Sequence, residues 1–153
     1  MTLAKNLRQS LTDPNQGQNG PVTASAGPWS ATAHTPHRDK VGAEIDELTV
    51  ERAAPGPGSV KGWADKFAGA ATGLLEPLKV QEVDAGKNEA LIRSSPPSSN
   101  DAGADYYEVK LHGTQKASVK RYHAEGGKRE SIPFTLTHDG VEKLVDGLTG
   151  SQK

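Results

Sequence analysis

Apolar residues are distributed unevenly along this chain. Beyond Pro55-Gly56-Pro57-Gly58 they recur at helical or strand spacing, whereas before it they are sparse among Asn, Gln, Gly, Pro, Ser, Thr and Ala. In the second region Trp63, Phe67, Ala70, Ala71, Leu74 and Leu75 fall at i, i+4, i+7, i+8, i+11 and i+12, which is one apolar stripe of a helix. Ser59 precedes it as an N-cap residue, and Glu76-Pro77 closes it, because a residue before proline avoids the α region. Ala and Gly at 68–71 and 73 let such a helix lie close to a sheet.

After Pro77 the period changes to two. Leu78–Val83 and Ala90–Ser94 flank a Gly86-Lys87-Asn88 turn and read as a hairpin, with Ser95–Ala104 as a loop behind it. Tyr107, Val109 and Leu111 alternate with Tyr106, Glu108 and Lys110, a half-buried strand. Ala117–His123 follows the His112-Gly113-Thr114-Gln115 turn. After Gly126-Gly127, Ile132, Phe134 and Leu136 mark a fifth strand that Pro133 assigns to an edge or a strand start. Thr137 then caps a helix whose buried face is Val141, Leu144, Val145 and Leu148 and whose terminator is Gly150.

These elements predict an α+β domain over residues 59–150: an N-terminal helix, a five-stranded, mostly antiparallel sheet and a C-terminal helix. Hairpin-length connections favour antiparallel pairing, and single apolar faces place both helices on one side of the sheet. Residues 151–153 form a tail. Residues 1–58 read as a long disordered arm, too poor in apolar surface to offset the entropy of ordering it. Within it, Leu3, Leu7 and Leu11 allow a short helix over 2–12. Val41, Ile45 and Leu48 allow another over 41–51, and both are suited to docking on a partner.

Composition agrees with a chain that is only partly folded. With 33% hydrophobic and 5% aromatic residues, the apolar supply falls well short of the near-half typical of globular domains. The absence of cysteine excludes disulfides, thiol nucleophiles, thiolate zinc sites and iron–sulfur clusters. A net charge of −1 excludes a surface that is basic throughout. No apolar run approaches the roughly 20 residues that span a bilayer, and no secretory signal core is present. The expectation is a soluble, cytoplasmic protein without membrane contact.

The chain carries no recognisable catalytic constellation. No G-x-S-x-G occurs, and Gly126-Gly127-Lys128 lacks both the upstream glycine and the following Ser or Thr of a phosphate loop. His34 and His37 lie in the Pro-rich arm. His112 and His123 fall at opposite ends of one hairpin, and His138 stands at a helix start, so no metal site is expected. Asp139, Glu142 and Asp146 are helix-surface neighbours. No catalytic, metal or cofactor-binding residue is assigned.

One basic and aromatic strip remains as a candidate binding surface: Tyr106, Lys110, Lys116, Lys120, Arg121, Tyr122, Lys128 and Arg129. On the predicted alternation Tyr106, Lys110, Lys120 and Tyr122 share the face away from the helices. The order of strands before one C-terminal helix, with Lys120-Arg121-Tyr122 ahead of a glycine turn, resembles in architecture the single-stranded-DNA-binding transcriptional coactivators, over the last third of the chain. The reading that follows is a non-enzymatic protein-interaction or adaptor module that uses an open sheet face and the N-terminal arm. The alternative is weak single-stranded nucleic-acid binding through the strip. An uncovered sheet face, or the edge strand near Pro133, also offers a route to a homodimer.

Overall fold

The computed structural model describes residues 2–17 and 19–152. Its first helix, α1 (Leu3–Thr12), is capped by Thr2, whose hydroxyl accepts from the Lys5 N–H. The four-residue repeat of Leu3, Leu7 and Leu11, with Ala4 beside it, is buried. A helix this short is marginal in isolation, so packing supplies what propensity does not. It lies on β1 (Gly20–Ala26) and β2 (Trp29–Thr35), and against α3 (His138–Gly150), to which Arg8 ties it through Glu142 at 2.7 Å.

The expected disordered arm is therefore corrected: residues 13–58 carry five strands. Besides β1 and β2 these are β3 (His37–Arg38), β4 (Gly42–Ile45) and β5 (Glu47–Arg52). β1 and β2 do alternate, as Val22-Thr23-Ala24-Ser25 and Ser30-Ala31-Thr32-Ala33, but their inward positions are mostly alanine. Alanine buries little area and contrasts only weakly with serine and threonine, so the period-two signal is faint; the bulk missing from these strands comes from the leucines of α1. The helix expected over 41–51 is likewise replaced, by β4 and β5. Ile45, Leu48 and Val50 are buried, whereas Val41 is 72% exposed. Gly42 passes so close to the Leu136 carbonyl that a Cβ there would overlap it, a contact that strand pairing demands and a helix would not.

Ser59 caps α2 (Val60–Ala70) by accepting from the Gly62 N–H at 3.0 Å. The helix stops six residues short of Glu76, since Gly69 and Gly73 weaken the run and Gly73 adopts a φ of +80°. Leu75 is consequently 77% exposed and lies outside the helical stripe. Trp63 Nε1 donates to the Leu148 carbonyl at 2.8 Å and ties α2 to α3. Thr137 caps α3 as its position suggests.

The C-terminal strands are β6 (Leu78–Asp84), β7 (Glu89–Ser94), β8 (Ser98–Asn100), β9 (Gly103–His112), β10 (Lys116–Glu125), β11 (Lys128–Ile132) and β12 (Phe134–Thr137). The sheet expected to have five strands has nine among the described residues. Its order is β1-β2-β5-β10-β9-β7-β6, with β11 pairing β10 beyond β5 and β8 pairing β9 beyond β7. Every pairing is antiparallel. The predicted fifth strand is two strands: β11 stays in this sheet, and β12 joins a second sheet ordered β12-β4-β3. Pro133, which has no N–H to donate, stands at the break. Of the 151–153 tail, Ser151 and Gln152 are buried, and Lys153 lies outside the described residues.

Register places the buried apolar residues of the large sheet on one face. Val22 stands beside Ala33, which stands beside Leu48; Val50 adjoins both Ala31 and Ala117; Val119 pairs Val109, and Val109 pairs Ile92. The helices pack on this inner face and close a single core. Among the described residues the opposite face has no helix over it.

Candidate interaction surface

The outer face is built by the other half of each alternation. One row crosses it as Thr23, Thr32, Thr49, Ser118, Lys110, Leu91 and Glu82. A second runs Ser25, Ser30, Glu51, Lys116, His112, Glu89 and Asp84. The β1-β2-β5 side is thus short hydroxyl side chains with scattered acids, and the charge is concentrated on β10, β9, β7 and β6.

At the β9-β10 end sits a tight polar and aromatic cluster. Tyr106 and Tyr122 are directly opposite in the register, with ring centroids 6.0 Å apart. Glu108, two residues along β9, is only 3% exposed although it lies on the open face. Arg93 Nε donates to its Oε2 at 3.0 Å, and Arg129 Nη1 donates to the same oxygen at 2.5 Å. Burial alone would raise the Glu108 carboxyl, but the bonds from Arg129 and Arg93 outweigh it and hold the group below its usual range. Arg129 lies 4.0 Å from the centre of the Tyr122 ring, and Arg93 lies 5.6 Å from that of Tyr106. Two arginines, one carboxylate and two tyrosines therefore brace one another, and little rotamer freedom is left to lose when something docks on them.

Of the eight residues in the predicted strip, Tyr106, Lys110, Lys116, Lys120, Tyr122 and Arg129 are on this face. Lys120 stands opposite Glu108 and Lys110 opposite Ser118, while Lys116 adjoins Glu51 and His112. None of these three lysines has a carboxylate within 4.0 Å among the described residues. Lys128 is at the hairpin tip opposite Glu125, away from the cluster.

Arg121 does not belong to the strip, because its side chain points to the helix side and is buried. Its Nη1 and Nη2 donate to Glu76 Oε1 and Oε2 at 2.9 and 3.0 Å, and its guanidinium covers the Tyr107 ring at 4.3 Å. Ser94 and Ser98 donate to the same carboxylate. This network pins the loop between α2 and β6 over the sheet. Arg93 and Glu76, both missing from the predicted strip, have contacts set by distant segments, and their own neighbourhoods in sequence give no sign of it.

Farther along the hairpin, His123 Nδ1 lies 2.6 Å from Asp105 Oδ1, which raises the imidazole above its ordinary value, with a smaller contribution from Glu125 against the effect of burial. Beside Lys110 is a cavity of about 260 Å³ whose rim holds Glu82, Asp84 and Glu89 with Lys87, so the face turns mostly acidic at this end of β7 and β6, while Lys79 stands beside Arg93 at the other end. Among the described residues no three His, Asp or Glu side chains are grouped to hold a metal ion, and no helix is long and apolar enough to cross a membrane.

In comparisons with known proteins, no family, no curated protein and no solved structure matches this chain.

Proposed function

We propose that this protein is a non-enzymatic interaction module that receives a protein partner on the open face of its large sheet. The observation that carries this reading is the braced cluster of Arg93, Glu108, Arg129, Tyr106 and Tyr122 on a face its own helices leave bare. Tyr and Arg are the residue types that dominate interface energetics, and side chains held in place before binding lose less entropy on docking. Nothing in this reading uses free N-terminal docking helices, because the apolar stripe of α1 and Ile45, Leu48 and Val50 are buried inside the fold, while β1, β2 and β5 contribute to the face itself.

Nucleic acid is the less favoured ligand. A guanidinium already covers Tyr122, where a base would stack, and Arg121 and Lys128 do not contribute to the face.

A photo-crosslinking side chain at position 118, in the middle of the face, tests the reading in extract of the native host. Position 65 on the exposed side of α2 is the control. Adducts from position 118 that excess unlabelled protein abolishes, and that position 65 does not form, are expected. Adducts formed equally from both positions, or none from position 118, overturn it.

A further inference from the structure

On β9 and β10 the lysines Lys110, Lys116 and Lys120 have no carboxylate within 4.0 Å among the described residues, as is also true of Lys79 at the β6 edge beside Arg93, whereas both arginines are engaged with Glu108. Lys116 and Lys120 are on the same side of β10, about 13 Å apart at roughly 3.3 Å per residue. Lys110 on the neighbouring strand is opposite Ser118, level with the midpoint between them. Along the strand direction the three residues therefore step by two positions each, or about 6.6 Å. An extended polypeptide laid over β9 and β10 presents its same-side residues at this spacing.

Resting on the proposal that this face docks a protein, we infer that its partner is an acidic, extended segment, whose alternate carboxylates meet Lys116, Lys110 and Lys120 in turn. Charge complementarity favours this occupant. At the Lys116–Lys110 end the positive strip is narrow: Glu51 adjoins Lys116 on one side, and Glu89 of β7 with Asp84 and Glu82 of β6 flank the other. Discrete carboxylates can be spaced to meet the lysines and avoid these acids. A single nucleic-acid strand could match the spacing, but its bases would need to stack on Tyr122, which Arg129 already covers. Thr49 and Ser118 beside the lysines supply hydroxyls for the segment's backbone or its intervening side chains.

The test uses the full chain and three probes: a synthetic peptide of alternating Glu and Thr, its Lys-Thr counterpart, and oligothymidylate. Binding is followed by amide NMR. The Glu-Thr peptide should shift resonances on β9 and β10 around residues 108–110 and 116–120, weaken as salt rises, and outcompete the other two. The triple variant Lys110→Gln, Lys116→Gln, Lys120→Gln should bind it roughly threefold to a hundredfold more weakly, the range open to three solvent-exposed ion pairs. The triple arginine variant, which keeps the charge, should still bind. Equal binding by the glutamine variant, tighter binding of oligothymidylate, or loss of binding in the arginine variant would each overturn the inference. If the Glu-Thr peptide fails to bind while competed adducts still form at position 118, the acidic preference is wrong and the docking face stands. If both are absent, both fall.

Discussion

Arg121 and Glu76, 45 residues apart, form a two-bonded ion pair buried under the α2-β6 loop, each about 5% exposed. Charges removed from water hold each other only while both are present. Removing one leaves the other buried and uncompensated.

Glu76→Gln or Arg121→Met should therefore lower unfolding free energy by about 3–5 kcal/mol, measured by urea titration. The double variant Glu76→Leu, Arg121→Met should recover much of that loss, because apolar replacement of a whole buried pair is often neutral. Additive losses in the double variant would argue against a coupled pair.

The pH dependence has a definite sign. Burial by itself would raise the Glu76 carboxyl, but hydrogen bonds from Arg121, Ser98 and Ser94 prevail, and it is depressed, as Glu108 is. Stability from these two carboxylates is in place above the ordinary glutamate value of about 4.3 and drains away as pH falls through their folded values. His123 behaves oppositely. Its imidazole is raised by Asp105, so its contribution is complete below about pH 6.5 and is lost as pH rises through the folded value. Melting temperatures across pH should fall on both sides, and His123→Gln should flatten the alkaline side alone.

Leu7→Ala tests whether the N-terminal helix belongs to the core. Leu7 is fully buried, so the variant should lose about 2–5 kcal/mol, with amide protection falling in β1 and β2 as well as in α1. A loss within about 0.5 kcal/mol, as for a surface substitution, would contradict this packing.

The free edge of β1 is guarded by two residues. The Ser25 carbonyl accepts from Asn6 Nδ2 at 2.8 Å and so faces away from β2; by strand alternation Thr23 and Pro21 face the same way, and Pro21 has no N–H. Asn6→Ala combined with Pro21→Thr should promote concentration-dependent self-association, read by analytical ultracentrifugation. An unchanged sedimentation profile at high concentration would show that the edge is protected by something else.

By itself the sequence determined the α+β character, both capped helices of the second half and the strands at 78–83, 90–94 and 106–111, each written in large apolar residues at a clear period, whereas β8 at Ser98–Asn100, expected as loop, was not legible because it is all polar. It also put Tyr106, Lys110, Lys120 and Tyr122 on a common face, since strand alternation is a local property. Only the tertiary structure decided that Gly20–Arg52 is sheet: alanines that look too small for a core suffice once the leucines of α1 complete it. It alone decided that Arg121 turns inward to Glu76 while Arg93 and Arg129 converge on Glu108. A side chain's charge is visible in the sequence, but whether that charge is free, paired or buried depends on residues brought beside it from elsewhere in the chain.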